Sequence, residues 1–279
     1  MAIALALAAA ASWGLADFLA GLASRRISVA VVLLLVEGGG LAVIVAIALI
    51  SGADFFDSAG DLWSAVGGGL SAVLGLGCFY RALAIGTMSV VAPISAAGVA
   101  LPVVVGIATG NRPSTLAAVG LAAIVAGVVL ASREEHETDE AEQAGRAALA
   151  LALLSAVGFG GFFALTDAPA DASVPWTLVC ARAAALPFVV GLIARTRPAW
   201  PRVRLGAGIA AVGCIDLLAT TLIAIAQTKG DLSVVSVLGG MYPVATVLLA
   251  AAVLQERVRP PQVAGIVLAL GGVGAVAAG

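Results

Sequence analysis

The chain is short of charge, of lysine and of histidine, and each shortage removes a class of function. Of its 279 residues only 11% are charged, whereas a soluble globular chain carries about 25%. Lys229 is the single lysine and the arginines are scattered, so there is no basic face for nucleic acid. His136 is the single histidine and falls in a polar stretch, where it is expected to be solvated. Cys78, Cys180 and Cys214 lie apart in apolar stretches with no CxxC pair. That argues against a disulfide framework or a zinc site and predicts three small buried hydrophobes. No GxxxxGK[ST] run exists to cradle a nucleotide phosphate, which excludes ATP hydrolysis by that route. One loop histidine, lone cysteines and separated acids do not make the clustered set that catalysis requires. The chain is therefore read as not an enzyme, and no cofactor or metal is expected.

What the chain has is apolar length. Apolar residues make up 62% of it and the mean hydropathy is +1.13, so part of its solvent must be lipid. A spanning helix needs about 20 residues. Ten windows qualify: 2–22, 28–50, 62–84, 88–109, 113–131, 147–167, 174–194, 205–228, 231–254 and 260–278. Short breaks such as SRRIS, NRPS, TDAPADAS and TKGD separate them. Barrel strands alternate apolar and polar residues; these windows are apolar all round, and backbone groups in lipid must be satisfied internally. The expected fold is an all-α integral membrane protein. The opening MAIALALAAAAS has the small apolar residues of a signal peptide but no positive n-region, and it is expected to stay as the first helix.

The longest polar stretch, 132–146, divides the windows into five and five. This gives a first repeat over 1–131, a linker over 132–146 and a second repeat over 147–279. The halves match each other. GTMSVV at 86–91 aligns with GDLSVV at 230–235, and Gly14 and Phe18 fall opposite Gly158 and Phe162, all at an offset of 144. After one insertion Gly120 and Gly127 pair with Gly265 and Gly272. An odd number of spans per copy turns the second copy upside down, the arrangement of secondary transporters whose site lies at the repeat interface. Glycines seven apart share a helix face and suit close backbone packing, with a glycine hinge as the alternative. Loops after odd spans carry eleven arginines, while the opposite set carries Arg112 and Lys229. The positive-inside rule then puts both termini outside the cytoplasm, in a multi-pass protein of the cytoplasmic membrane.

Charge at the bilayer centre costs about 2.5–3.5 kcal/mol on insertion scales, which makes it a functional-site hypothesis. Asp17, Glu37, Arg182 and Asp216 bear that cost. At 100° per residue, Leu15, Phe18, Leu19 and Leu22 fall on one side of the first helix. Asp17 falls on the other, with Trp13, Gly14, Ala20 and Gly21, so it is expected to point inward. Two readings stand for it: a proton carrier, or a hydrogen bond to a neighbouring helix end. Asp216, Thr220 and Gln227 form a polar stripe down the eighth helix, read as cavity lining with interhelical hydrogen bonding as the alternative. Glu37 and Arg182 occupy nearly equivalent places in the two halves with opposite sign. Either they pair, or Arg182 holds a substrate carboxylate. Arg81 either snorkels to the headgroups or gates. Pro93, Pro102 and Pro243 free helix carbonyls that either face a cavity or accompany a static kink.

These residues carry a resemblance. Trp13-Gly14, the run Tyr80-Arg81-Ala82-Leu83-Ala84-Ile85-Gly86, Val91-Ala92-Pro93-Ile94 and the turn Gly110-Asn111-Arg112-Pro113-Ser114 together resemble EamA-type members of the drug/metabolite transporter superfamily. The resemblance covers nearly the whole chain. It implies ten helices in two inverted units around a central cavity, and export or exchange of small metabolites, often proton-linked. It implies that Trp13, Asp17, Tyr80, Pro93, Asp216, Thr220 and Tyr242 line that cavity. The family's usual turn glutamate is absent at Asn111 and present at Glu256, where Gln255 replaces the usual glycine. Relatives keep both termini in the cytoplasm, against the charge count here. The expected partners are a small-molecule substrate, protons and the bilayer, with the chain a monomer or homodimer. Two other classes stand beside the transporter: a non-transporting scaffold or sensor subunit, and a membrane-embedded enzyme.

Overall fold

Apolar residues all round a segment leave its backbone no partner but itself, and a helix is the local answer. The computed structural model describes residues 1–101, 114–131, 139–227, 229, 238–256 and 259–278, without the side chains at 99, 131, 139–141, 167, 224, 227 and 277. No strand occurs among these residues. The first helices are α1 (Ala2–Ser24), α2 (Val29–Ser51) and α3 (Ala59–Ile85). Gly52 closes α2 in the left-handed conformation (φ 64°), which glycine adopts without a side-chain penalty. Ser58 caps α3 by accepting from the Gly60 N–H at 3.1 Å, and Asp61 lies in the first turn, where an acid complements the helix dipole. Next come α4 (Met88–Ala96), continued by a 3₁₀ turn (Ala97–Ala100), and α5 (Thr115–Ala131).

A single helical run, Asp139–Thr196, follows and is broken only at Ser173 (φ −162°, ψ 100°). Its arms are α6 (139–172) and α7 (174–196). The expected break over TDAPADAS is thus narrower than the sequence implies, because polar residues at a membrane surface are compatible with helix. Pro175 sits in the first turn of α7, where a missing N–H costs nothing. The polar linker is also partly helical. Residues 139–146 are mostly good helix formers, and Arg146 pairs with Glu142 one turn back. The chain ends with α8 (Val203–Gln227), α9 (Tyr242–Leu249) with a π-helical turn (Ala250–Leu254), and α10 (Pro260–Ala278). Among the described residues six segments are long and apolar enough to cross a membrane: Ala2–Ser24, Val29–Ser51, Ala59–Ile85, Glu142–Thr166, Ala168–Thr196 and Val203–Ile223. Thr115–Leu130, Tyr242–Leu254 and Pro260–Val276 are shorter apolar helices. Pro102 and most of the turn around Asn111 lie outside the described residues.

Lipid tails are as apolar as leucine, so helices in a bilayer associate through close packing. Glycine sets the closest approaches. A Cβ on Gly213 of α8 would stand 2.0 Å from the Val36 carbonyl oxygen of α2. A Cβ on Gly69 of α3 would stand 2.0 Å from that of Ala181 on α7. Gly120 and Gly127 of α5 abut the carbonyls of Gly272 and Gly265 on α10, the packing expected from their spacing. The contact pattern has an internal order. α1 lies on α8 and α9, while Gly75 of α3 meets Gly158 of α6 and Gly98 after α4 meets Ala156 of α6. Exchanging each helix for the one five places on turns one set into the other. The largest buried side chains include Phe79, Leu83, Met88, Leu33 and Ile94, where α2, α3 and α4 converge.

Two expectations need correction. Phe18 is 3% exposed and belongs to the core. A face assignment assumes one lipid side, but α1 is packed by α3, α8 and α9 at once. Cys214 is exposed and Cys78 and Cys180 half-buried, all as free thiols. An apolar window in lipid exposes small hydrophobes as readily as it buries them.

The glycine contacts generate a paired test. Gly213→Ala is expected to lower thermal stability in detergent by about 1–3 kcal/mol through overpacking. Gly38→Ala, where a Cβ meets nothing within 4 Å, is expected to leave it unchanged or raise it by up to about 1 kcal/mol through helix propensity.

Candidate functional site

The stretch Glu37-Gly38-Gly39-Gly40 on α2 lets neighbouring groups reach a buried carboxylate. Arg182 extends from α7 into the room left by Gly40, whose Cβ would lie 2.6 Å from the arginine Nη1. Nη1 donates to Glu37 Oε2 at 3.2 Å, and Nη2 donates to Asp216 Oδ2 on α8. Arg182 and Glu37 are 9% and 5% exposed, and Asp216 is half-buried. Three helices from both halves of the chain therefore meet on one guanidinium. The Glu37–Arg182 pair left open by the sequence forms, and Asp216 joins it. A guanidinium presents a fixed fork of donors, and here two of its nitrogens are already engaged.

Asp17 stands beside this triad. It is 8% exposed and lies within electrostatic reach of Asp216. Among the described residues it makes no hydrogen bond and no ion pair. Tyr80 of α3, 2% exposed, lies within reach of Asp17, Glu37, Asp216 and Arg182. Tyr242 of α9 lies within reach of Asp17. Trp13, one turn before Asp17, meets Tyr242 edge to face at 6.3 Å between centroids. Gly14 brings α1 and α9 together at this level: its carbonyl accepts from Thr246 Oγ1 at 3.3 Å, and a Cβ on it would overlap Ala245.

The other candidate residues fall elsewhere. The Thr220 hydroxyl donates to the Asp216 carbonyl on its own helix at 3.1 Å. Pro93 is buried inside α4, one turn before the 3₁₀ segment. Arg81 is exposed. The Gln227 side chain lies outside the described residues. The sequence reading passed over a buried serine pair, in which Ser155 Oγ on α6 donates to Ser95 Oγ on α4 at 2.6 Å. It also passed over the contacts of Glu256 with α4. Serines in an apolar helix and an acid after a helix end are the only signals of either.

Two carboxylates share one guanidinium here, and a third, Asp17, stands beside them. The triad carries a surplus negative charge, and Asp17 adds another when ionised. In a dry setting such a surplus is costly, and a proton or a cationic group that joins the cluster relieves it. A half-exposed Asp216 beside a buried, unpartnered Asp17 can accept either.

The comparisons with known proteins agree with this architecture. The chain belongs to the EamA-like transporter family, which it matches over residues 1–133 and again over 146–278. It is thus a multi-pass membrane transporter of the drug/metabolite superfamily. Curated proteins offer no match. One similar solved structure, a crystal structure, has a TM-score of 0.66 and 17% identity over 99% of this chain and 97% of that one, a likeness of fold alone.

Removing the shared guanidinium should expose how much the cluster depends on it. Arg182→Leu strands the buried Glu37 and the half-buried Asp216 and is expected to cost about 3–5 kcal/mol. Differential scanning of the purified protein in detergent would show this as a lowered melting temperature.

Proposed function

We propose that this chain carries small metabolites, amino-acid-like or drug-like, across the cytoplasmic membrane by alternating access, in the export direction and coupled to protons. The observation that carries the reading is Asp17, buried and unpartnered among the described residues beside the Arg182 triad. A carboxyl held apart from water and from every cation is suited to take up and release a proton as access changes sides. Arg182 is occupied by Glu37 and Asp216, so a substrate carboxylate reaches it only by displacing one of them. Trp13, Tyr80 and Tyr242 offer apolar faces and polar tips around Asp17, and Asp216 with Thr220 continues toward the end of α8.

In this reading the chain has ten spans in two inverted five-helix repeats, 1–131 and 147–279, joined by 132–146. The exchange pattern of the helix contacts and the two successive family matches support it. Both termini are outside the cytoplasm, on the strength of eleven arginines against two basic residues in the opposing loops. The functional unit is a monomer or homodimer.

Solute-driven proton movement in proteoliposomes tests the reading, with amino acids, sugars and cationic drugs as the panel. Wild type is expected to move protons with at least one solute. Asp17→Asn is expected to abolish that movement while keeping the wild-type melting profile. Solute flux with no proton movement in wild type, or undiminished proton movement in Asp17→Asn, would overturn the coupling assigned to Asp17.

A further inference from the structure

The turn between α9 and α10 does something the central site does not explain. Gln255 adopts φ 53° and ψ 34°, a left-handed conformation that favours glycine, directly after the π-helical turn. This geometry delivers the Glu256 side chain, only 12% exposed, across the molecule. Its Oε2 accepts from the Ser89 backbone N–H at 3.0 Å and from Ser89 Oγ at 2.9 Å. Its Oε1 accepts from the Met88 N–H at 3.2 Å and from Arg25 Nη2 at 3.2 Å. Arg25 in turn donates through Nε to the Leu83 carbonyl at 3.3 Å and through Nη2 to that of Gly86 at 3.5 Å.

Thr87, the N-cap residue of α4, makes no side-chain cap. The orphan N–H groups of α4 are satisfied instead by a carboxylate from the other half of the chain. Such a contact is charge-assisted and lies at the favourable end of the helix dipole. One side chain thus ties three turns together at one end of the molecule: α1–α2, α3–α4 and α9–α10. Just beneath it, Leu83 and Met88 close over Gly21 of α1, and both are fully buried. α1 then runs on to Asp17. At the position 145 residues earlier the sequence has Asn111, which cannot supply a carboxylate.

We infer that Glu256 is the latch of the gate on the Arg25 side of the transporter: it holds the two halves together over the solute path and lets go when that side opens. The inference rests on the alternating-access reading, but it is tested without solute. Labelling of a thiol beneath the latch reads gate opening directly, so its failure would leave the proton-coupling assigned to Asp17 untouched.

The test uses the full chain in membrane vesicles of each orientation, with Cys78, Cys180 and Cys214 replaced by serine and Leu83→Cys as the reporter. The probe is a membrane-impermeant maleimide. With Glu256 intact the reporter is expected to react slowly. Glu256→Gln is expected to raise the rate roughly tenfold or more, the effect of losing hydrogen bonds to a charged acceptor. The rise should come only in vesicles that present the Arg25 side. Ser89→Ala, which removes one hydroxyl and leaves the backbone cap, should raise it less, and Glu256→Asp should restore part of the protection. A purely structural cap would leave the rate unchanged or raise it from both sides alike. Either result, in Glu256→Gln or in the milder Ser89→Ala, would overturn the latch.

Discussion

The structure turns on one buried guanidinium. A charge in the membrane interior is tolerated only when paired or wetted, and this chain places four charged side chains there. Arg182 reconciles three of them by reaching from α7 to Glu37 on α2 and Asp216 on α8. The backbone had to be shaped for this. Gly40 leaves the space that the guanidinium fills, and Gly213 lets α8 approach α2 closely enough for Asp216 to join. Replacing such a network with apolar residues is often neutral or stabilising, whereas breaking it is not. In a chain with only 11% charged residues, the proposed transport reading gives such a network work to do beyond stability.

Backbone and charge obey different symmetries. The glycine approaches of α8 on α2 and α3 on α7 correspond, as do those of α1 on α9 and α4 on α6. The charges do not correspond. At the offset of 144, Asp17, Glu37 and Asp216 fall opposite Gly161, Ala181 and Ala72. A near-symmetric frame can adopt two mirrored states of similar energy, the condition for alternating access. In the transport reading proposed above, the asymmetric charge set gives that frame one working site. The charge of Glu256 likewise has no counterpart in the first half of the sequence, where the matching position is Asn111.

Much of this is legible in the sequence. Hydropathy marked the helical segments, and the offset of 144 placed Glu37 and Arg182 at matching depth. Small residues beside Asp17 marked its inward face. Other features were hidden for physical reasons. The facing of Glu37 and Arg182 could not be read because large and small residues surround both. Thr220 sits in line with Asp216, yet its hydroxyl is spent on its own helix, since a threonine in lipid finds the carbonyl one turn back before any neighbour. Phe18 broke the face assignment because α1 has protein on several sides. The TDAPADAS stretch read as a loop because it is polar, whereas the chain needed only Ser173 to turn. The role of Glu256 depends on contacts 167 to 231 residues away, which no local pattern reports.

In the proposed transport reading the Arg182 network serves transport and not stability, so the fold tolerates its removal whole but not in part. The direct measurement is the melting temperature of the triple variant Glu37→Leu, Arg182→Leu, Asp216→Leu, read beside Arg182→Leu alone. With neither carboxylate partner of Arg182 left to strand, and Asp17 as unpartnered as before, the triple variant should melt at or near the wild-type temperature while the single variant melts well below it. A triple variant as unstable as the single one would contradict the account, because the network would then be holding the fold together by its own strength.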